Sequence, residues 1–238
     1  QIGGYVTWEE PSDTALLTHY AVYRAREADG SARSGLNNDV GIGTNFIIVN
    51  PELAVFNFPY IVVYTRSGNF EQTTPQTITI KDTDATPTLL GVIDRDLDET
   101  DFGGDVFWQA PAAPDIDQVT QYRLYFATDA AGTTRSHLGS DVAVGTNEVV
   151  VTPEKALYQP SGNYTHLLVY SSSTLAEQTT PSFFFISDTI AVVMNVQFTD
   201  NDLDALELGG AITWDTPGDV ALVAHYVIYL AQGEAGAG

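Results

Sequence analysis

The chain has 238 residues, 44% hydrophobic and 11% aromatic, enough to build packed cores, which excludes a disordered chain. Nine basic residues against 31 acidic ones give a formal charge of -22, which excludes a nucleic-acid-binding surface and contact with an anionic membrane. There is no cysteine, so a disulfide framework and thiol chemistry are excluded, and no apolar run approaches the roughly 18 residues of a membrane span.

In chain order, the sequence repeats itself at intervals of roughly 100 residues, the mark of an array of small domains. Gly-Gly-x-(Val/Ile)-x-Trp ends at Trp8, Trp108 and Trp214. Val6, Val106 and Ile212 stand two residues before each Trp, with variable residues between, so this strand has one buried face that carries the Trp. Pro11, Pro111 and Pro217 open the following loop. The next strand reads Tyr20-Ala-Val22-Tyr23, Tyr122-Arg-Leu124-Tyr125 and Tyr226-Val-Ile228-Tyr229, and its alternation turns the first Tyr and the aliphatic residue inward. Gly43-Thr-Asn45 matches Gly145-Thr-Asn147, and in the strands that follow Ile47, Val49, Val149 and Val151 point inward while Glu148 marks the solvent face. Pro51-Glu52 and Pro153-Glu154 end those strands. Ile61-Val-Val63-Tyr64 and Leu167-Leu-Val169-Tyr170 are apolar on both faces, as in a central strand. Glu71-Gln-Thr-Thr-Pro75 is identical to Glu177-Gln-Thr-Thr-Pro181 and opens the last strand, Thr77–Ile80 or Phe183–Ile186. No segment carries a 3.6-residue apolar period, so almost no helix is expected.

Short strands separated by turn signals imply an all-β sandwich. The Trp-x-x-Pro stretch, the Tyr-x-aliphatic strand and the lack of cysteine make each copy similar to a fibronectin type III domain, an immunoglobulin-like β-sandwich. That resemblance implies tandem seven-stranded antiparallel sandwiches, arranged as beads on a string. It also implies a corner tyrosine late in each copy, for which Tyr164 stands in the second repeat and Phe58 in the first. The expected domains are 1–84, lacking a first strand; 85–190, complete; and 191–238, ending after its early strands. The natural protein is therefore expected to continue at both ends.

Acidic residues gather where one repeat gives way to the next. Asp82 and Asp188 stand at the ends of last strands, and Asp94-x-Asp96-x-Asp98 and Asp200-x-Asp202-x-Asp204 lead into the Gly-Gly pairs. Carboxylates at every second residue project to one side of an extended segment, and several hard oxygens held together suit Ca²⁺, which takes six to eight. A cation there would stiffen the junction, in a logic similar to that of cadherin-type arrays though with a different motif. The competing reading is a solvated acidic linker with Leu97 and Leu203 as its buried residues. An EF-hand is excluded, since Glu99 and Ala205 stand where that loop needs Gly.

Asn163-Tyr-Thr165 is an N-glycosylation sequon. His19, His137, His166 and His225 read as surface residues, and no pair has zinc spacing. Neither a Gly-x-Ser-x-Gly elbow nor a phosphate loop occurs, and no repeat departs from the pattern with a convergent nucleophile and base, so no enzymatic activity is expected. The reading is a structural or adhesive segment of an extracellular or cell-surface filament, appendage or stalk. Its partners are neighbouring repeats, other copies or a surface ligand. The rivals are a carbohydrate- or protein-binding array, accessory domains of a larger secreted enzyme, and a uniformly acidic surface protein adapted to salt.

Overall fold

The computed structural model describes residues 1–37, 39–160 and 162–233; the end of the expected third repeat, 234–238, lies outside the described residues. Strand covers 40% of the chain and helix 2%, which settles the class as all-β. The helical element among the described residues is a single 3-10 turn, Asp115–Gln118. The chain divides into two compact units: residues 1–85 with 112–119 and 172–177, and residues 86–111 with 120–171 and 178–238.

The first copy contains β1 (Ile2–Thr7), β2 (His19–Ala25), β3 (Arg33–Gly35), β4 (Val40–Gly41), β5 (Phe46–Leu53), β6 (Tyr60–Arg66) and β7 (Gln76–Thr79). β1 pairs antiparallel with β5 in one sheet, and the other has the order β3-β2-β6-β7 with β4 also on β2. One apolar cluster joins them: Val6, Ile47 and Val49 from the first sheet pack with Tyr20, Val22 and Ile61 from the second. Burial of these side chains, at about 1.5–3 kcal/mol each, is what holds the two sheets face to face.

The second copy contains β8 (Leu89–Asp94), β9 (Asp101–Gln109), β10 (Gln121–Ala127), β11 (Ser136–His137), β12 (Val142–Ala143), β13 (Glu148–Ala156), β14 (His166–Ser172) and β15 (Ser182–Phe185). Its sheets have the orders β13-β9-β8 and β11-β10-β14-β15, with β12 also on β10. With β11 and β12 counted as one interrupted edge strand, this is the fibronectin type III-like sandwich of three strands against four. Val106 and Trp108 of β9, Tyr122 and Leu124 of β10 and Val151 of β13 are all buried, as alternation requires; Val149, also expected inward, is half-buried, and Val150 between Val149 and Val151 is 70% exposed. Trp108 meets Tyr122 edge-on at 5.2 Å between ring centres, tying sheet to sheet; Trp8 and Tyr20 do the same at 5.2 Å. Tyr164 stacks its ring on Phe126 at 5.8 Å, whereas Phe58 in the first copy lies under the Arg24 guanidinium at 4.7 Å.

In the third copy β16 (Met194–Phe198) pairs with β17 (Ile212–Asp215), and Trp214 again meets Tyr226 edge-on, at 5.3 Å. The expected strand at 226–229 does not form, and Tyr226, Ile228 and Ile212 are exposed instead of inward-facing. The physical reason is pairing. Its counterpart β2 is held by β3, β4 and β6, and among the described residues no strand lies beside 226–229 to supply those bonds.

β6 and β14 are buried on both faces because each copy builds a second small core on the outside of its larger sheet. Ala25, Val62 and Tyr64 form it in the first, and Ala127, Leu168 and Tyr170 in the second. An arginine closes each: Arg33 lies 4.4 Å from the rings of both Tyr23 and Tyr64, and Arg135 lies 4.5 Å from Tyr125 and 4.4 Å from Tyr170. Glu71 completes the first clamp by accepting the Tyr23 hydroxyl at 2.9 Å and pairing with Arg33. Gln72 supplies the next contact, taking the Thr65 hydroxyl at 2.9 Å. These contacts give Glu71-Gln72, which open the first of the identical five-residue stretches, a physical role that the sequence reading missed.

Candidate metal centre

The acidic stretch 94–101 belongs to the second sandwich itself: Asp94 ends β8, Asp101 begins β9, and the residues between form their turn. The expectation of a connector between sandwiches is corrected accordingly. Aspartates at every second position satisfy the backbone of this turn, the local competition for amide groups at which short carboxylates excel. Asp94 Oδ1 accepts the amides of Asp96 at 3.1 Å and Gly103 at 3.2 Å, and its Oδ2 accepts that of Thr189 at 3.0 Å. Asp96 Oδ1 accepts the Asp98 amide at 3.3 Å, and its Oδ2 accepts the Glu154 amide at 2.7 Å. Asp188 Oδ2 accepts the Thr100 amide at 2.8 Å.

The third copy repeats the turn. Asp200 Oδ1 accepts the amides of Asp202 and Gly209, each at 3.0 Å, and Asp202 Oδ1 accepts that of Asp204 at 3.0 Å. In the first copy Asp82, the counterpart of Asp188, lies 3.4 Å from the amine of Gln1.

The structure brings Asp96 and Asp98 together with Glu154, a residue that the sequence reading noted only as ending a strand. One oxygen from each lies within 4.8 Å of the others, and Asp202, Asp204 and Glu207 form a second such group. A bulge places Glu154: the register of β13 on β9 shifts between Val151 and Lys155, and Glu154 takes φ 62°. Glu52 in the first copy takes φ 69°, so the Pro-Glu pair was the available signal. The Gly-Gly pair answers this bulge. A Cβ on Gly103 would lie 2.5 Å from Pro153 Cα, and Gly104, at φ 153°, would place one 2.1 Å from the Ile93 carbonyl oxygen. No side chain but glycine's avoids both contacts.

Electrostatically the group is strained. Glu154 is held above the usual carboxylate range, first by the charge of Asp96, then by loss of water, Asp98 and Asp101. Burial pushes Asp94 up as well, against the pull of its three backbone amides, and the charge of Asp188 adds to the rise. The arginine ion pairs form elsewhere: Arg95 with Asp105, Arg123 with Asp141, Arg66 with Asp39. Hard oxygens that repel one another are the donor set a divalent cation takes up, and Ca²⁺ would need backbone or water oxygens to complete its shell.

Of the remaining expected site residue, Asn163 is exposed in the loop ahead of β14. The Thr165 hydroxyl of that sequon donates to the Thr128 carbonyl at 3.0 Å.

The chain matches no protein-family model, and a comparison with curated proteins finds no match. Among solved structures it matches the central fibronectin-III array of RIM-binding protein at 13% identity over 90% of this chain and 75% of that one, with a TM-score of 0.28. The fold assignment rests on the strand order and cores described above.

Proposed function

We propose that the chain is a structural segment of an extracellular filament, appendage or surface stalk, in which sandwich modules in series set length and Ca²⁺ at the acidic turns adds stiffness. The modules are those of 1–84, 85–190 and 191–238. The observation that carries this reading is the convergence of Asp96, Asp98 and Glu154, repeated as Asp202, Asp204 and Glu207. In the second copy the turn is bonded to the segment leaving for the third, so a cation there would act on that connection. Asn163 is exposed and suits a glycan in a eukaryotic secreted protein. No described helix is long and apolar enough to cross a membrane.

Binding to the native state raises stability by mass action, about 2.7 kcal/mol at a free concentration of 100 times Kd. Thermal unfolding in millimolar Ca²⁺ is therefore expected at a higher temperature than in EDTA, and the difference should vanish with Asp98→Asn and Glu154→Gln together. An unchanged melting temperature in the parent chain returns these residues to solvated turns.

A second reading, an array that binds carbohydrate or protein, draws on one observation. Phe183 and Phe185 are 54% and 62% exposed on edge strand β15, with His166 5.8 and 5.5 Å from their rings. Exposed aromatic faces of this kind stack on sugars or fill partner pockets. Glycan-array binding that disappears with Phe183→Ala and Phe185→Ala would establish it, and a blank array with the parent chain would remove its carbohydrate form.

A further inference from the structure

The acidic residues named above do two different jobs. Asp96, Asp98 and Glu154 bring an oxygen each within 4.8 Å of one another, whereas Asp94 Oδ2 and Asp188 Oδ2 accept backbone amides across the gap between the β8–β9 turn and the outgoing segment. We propose that Asp94 and Asp188 form a latch that fastens the outgoing segment 188–191 to the β8–β9 turn, fixing the course of the connector before any cation binds.

Four contacts make the latch. The Thr189 amide donates to Asp94 Oδ2 at 3.0 Å, and the Thr189 hydroxyl donates to the Asp94 carbonyl at 3.4 Å. The Thr100 amide donates to Asp188 Oδ2 at 2.8 Å, in the opposite direction across the same gap. The Ala191 amide donates to the Leu97 carbonyl at 3.0 Å. Just before them, Ile186 is buried and its amide donates to the Thr165 carbonyl at 2.9 Å, so the segment leaves from a fixed point. Connectors between modules ordinarily lack such bonds and behave as flexible chains.

Asp94 suits the task because it is 5% exposed and divides its oxygens. Oδ1 serves the turn through Asp96 and Gly103, and Oδ2 serves the connector through Thr189. Charge-assisted bonds shielded from water are stronger than neutral exposed ones. The third copy repeats the Oδ1 half at Asp200, which shows that the turn needs only one oxygen of the carboxylate. The other is free for a second role.

Asparagine at 94 separates the halves. With its carbonyl toward Gly103 it keeps the turn, and its amide group then opposes the Thr189 N–H, donor against donor. The experiment is amide hydrogen exchange by NMR on the 238-residue chain in EDTA, parent and Asp94→Asn. In the parent, the amides of Thr100, Thr189 and Ala191 should exchange at least about tenfold more slowly than in an unstructured peptide. In Asp94→Asn, Thr189 and Ala191 should lose that protection while the amides of β14 keep theirs. Exchange of Thr189 and Ala191 at unstructured rates in the parent overturns the latch, as does unchanged protection in a folded Asp94→Asn chain. If the variant does not fold, the parent measurement decides alone. Because EDTA is present throughout, a protected connector in a chain whose melting ignores Ca²⁺ sinks the calcium reading and leaves the latch. A free connector in a chain stabilised by Ca²⁺ does the reverse.

Discussion

Trp108→Ala should remove a large share of the stability of the second sandwich and lower its unfolding midpoint sharply. Trp108 is 4% exposed, and it touches Tyr122 across the two sheets. Truncation removes the largest side chain of β9 and leaves a cavity that the rigid strands around it cannot close, at a cost of about 3–5 kcal/mol. A module of this size has roughly 5–15 kcal/mol in total. Urea unfolding followed by circular dichroism reads the effect directly, and Trp108→Phe should recover a large part of it by keeping an aromatic edge against Tyr122. The same truncation at Trp214 should cost far less, since its ring partner Tyr226 is 39% exposed and lies outside any strand. A Trp108→Ala chain that unfolds at the parent urea concentration would mean that the inter-sheet aromatic pair contributes nothing to the sandwich.

Gly104→Ala should be nearly as damaging, by a different route. The backbone there has φ 153°, outside the range L side chains adopt, and the added Cβ would meet the Ile93 carbonyl oxygen at 2.1 Å. Both obstacles are backbone, so no rotamer relieves them. Strain of about 1–3 kcal/mol combines with overpacking of similar size. The damage should fall on the β8–β9 turn and thus on Asp94 and its neighbours. Gly91→Ala makes a useful contrast, since the atoms its Cβ would strike belong to the Phe107 ring, a partly exposed side chain. Comparison of the two midpoints in urea checks this, and equal losses would overturn the account.

The core was readable because alternation is a strict geometric consequence of the pleat. Val106, Tyr122, Leu124, Val151 and Leu167 were expected inward and are buried, and Glu148 and Val150 lie on the outer face. What escaped depends on partners rather than on local pattern. Tyr226 and Ile228 carry the same alternation as Tyr122 and Leu124, yet form no strand, since no strand among the described residues pairs with them. Glu154 reaches Asp96 through a bulge, and no periodicity of β13 announces a bulge. Asp94 and Asp96 illustrate a true ambiguity, because aspartate at alternate positions serves equally well as cation ligand and as acceptor for turn amides. Only the second use is visible in the bonds they make. The outer clamp escaped for a simpler reason: Arg33 and Tyr64 lie on separate strands, and cation–π contact leaves no spacing to read.

The pairing of β9 with β13 has a consequence for synthesis. Phe107 lies opposite Glu148, and Val106 opposite Val149, so β10, β11 and β12 must all be made before β9 gains its second neighbour. Folds that close such long loops before their contacts reward them are slow to form. While the ribosome produces the intervening strands, Val106 and Trp108 stand beside a nascent chain whose upstream copy offers β5, a strand with the same inward pattern. The cross-strand pairs on the outer face differ between the copies: Phe46 of β5 lies opposite Thr7 where Glu148 of β13 lies opposite Phe107, and Tyr5 lies opposite Ile48 where Asp105 lies opposite Val150.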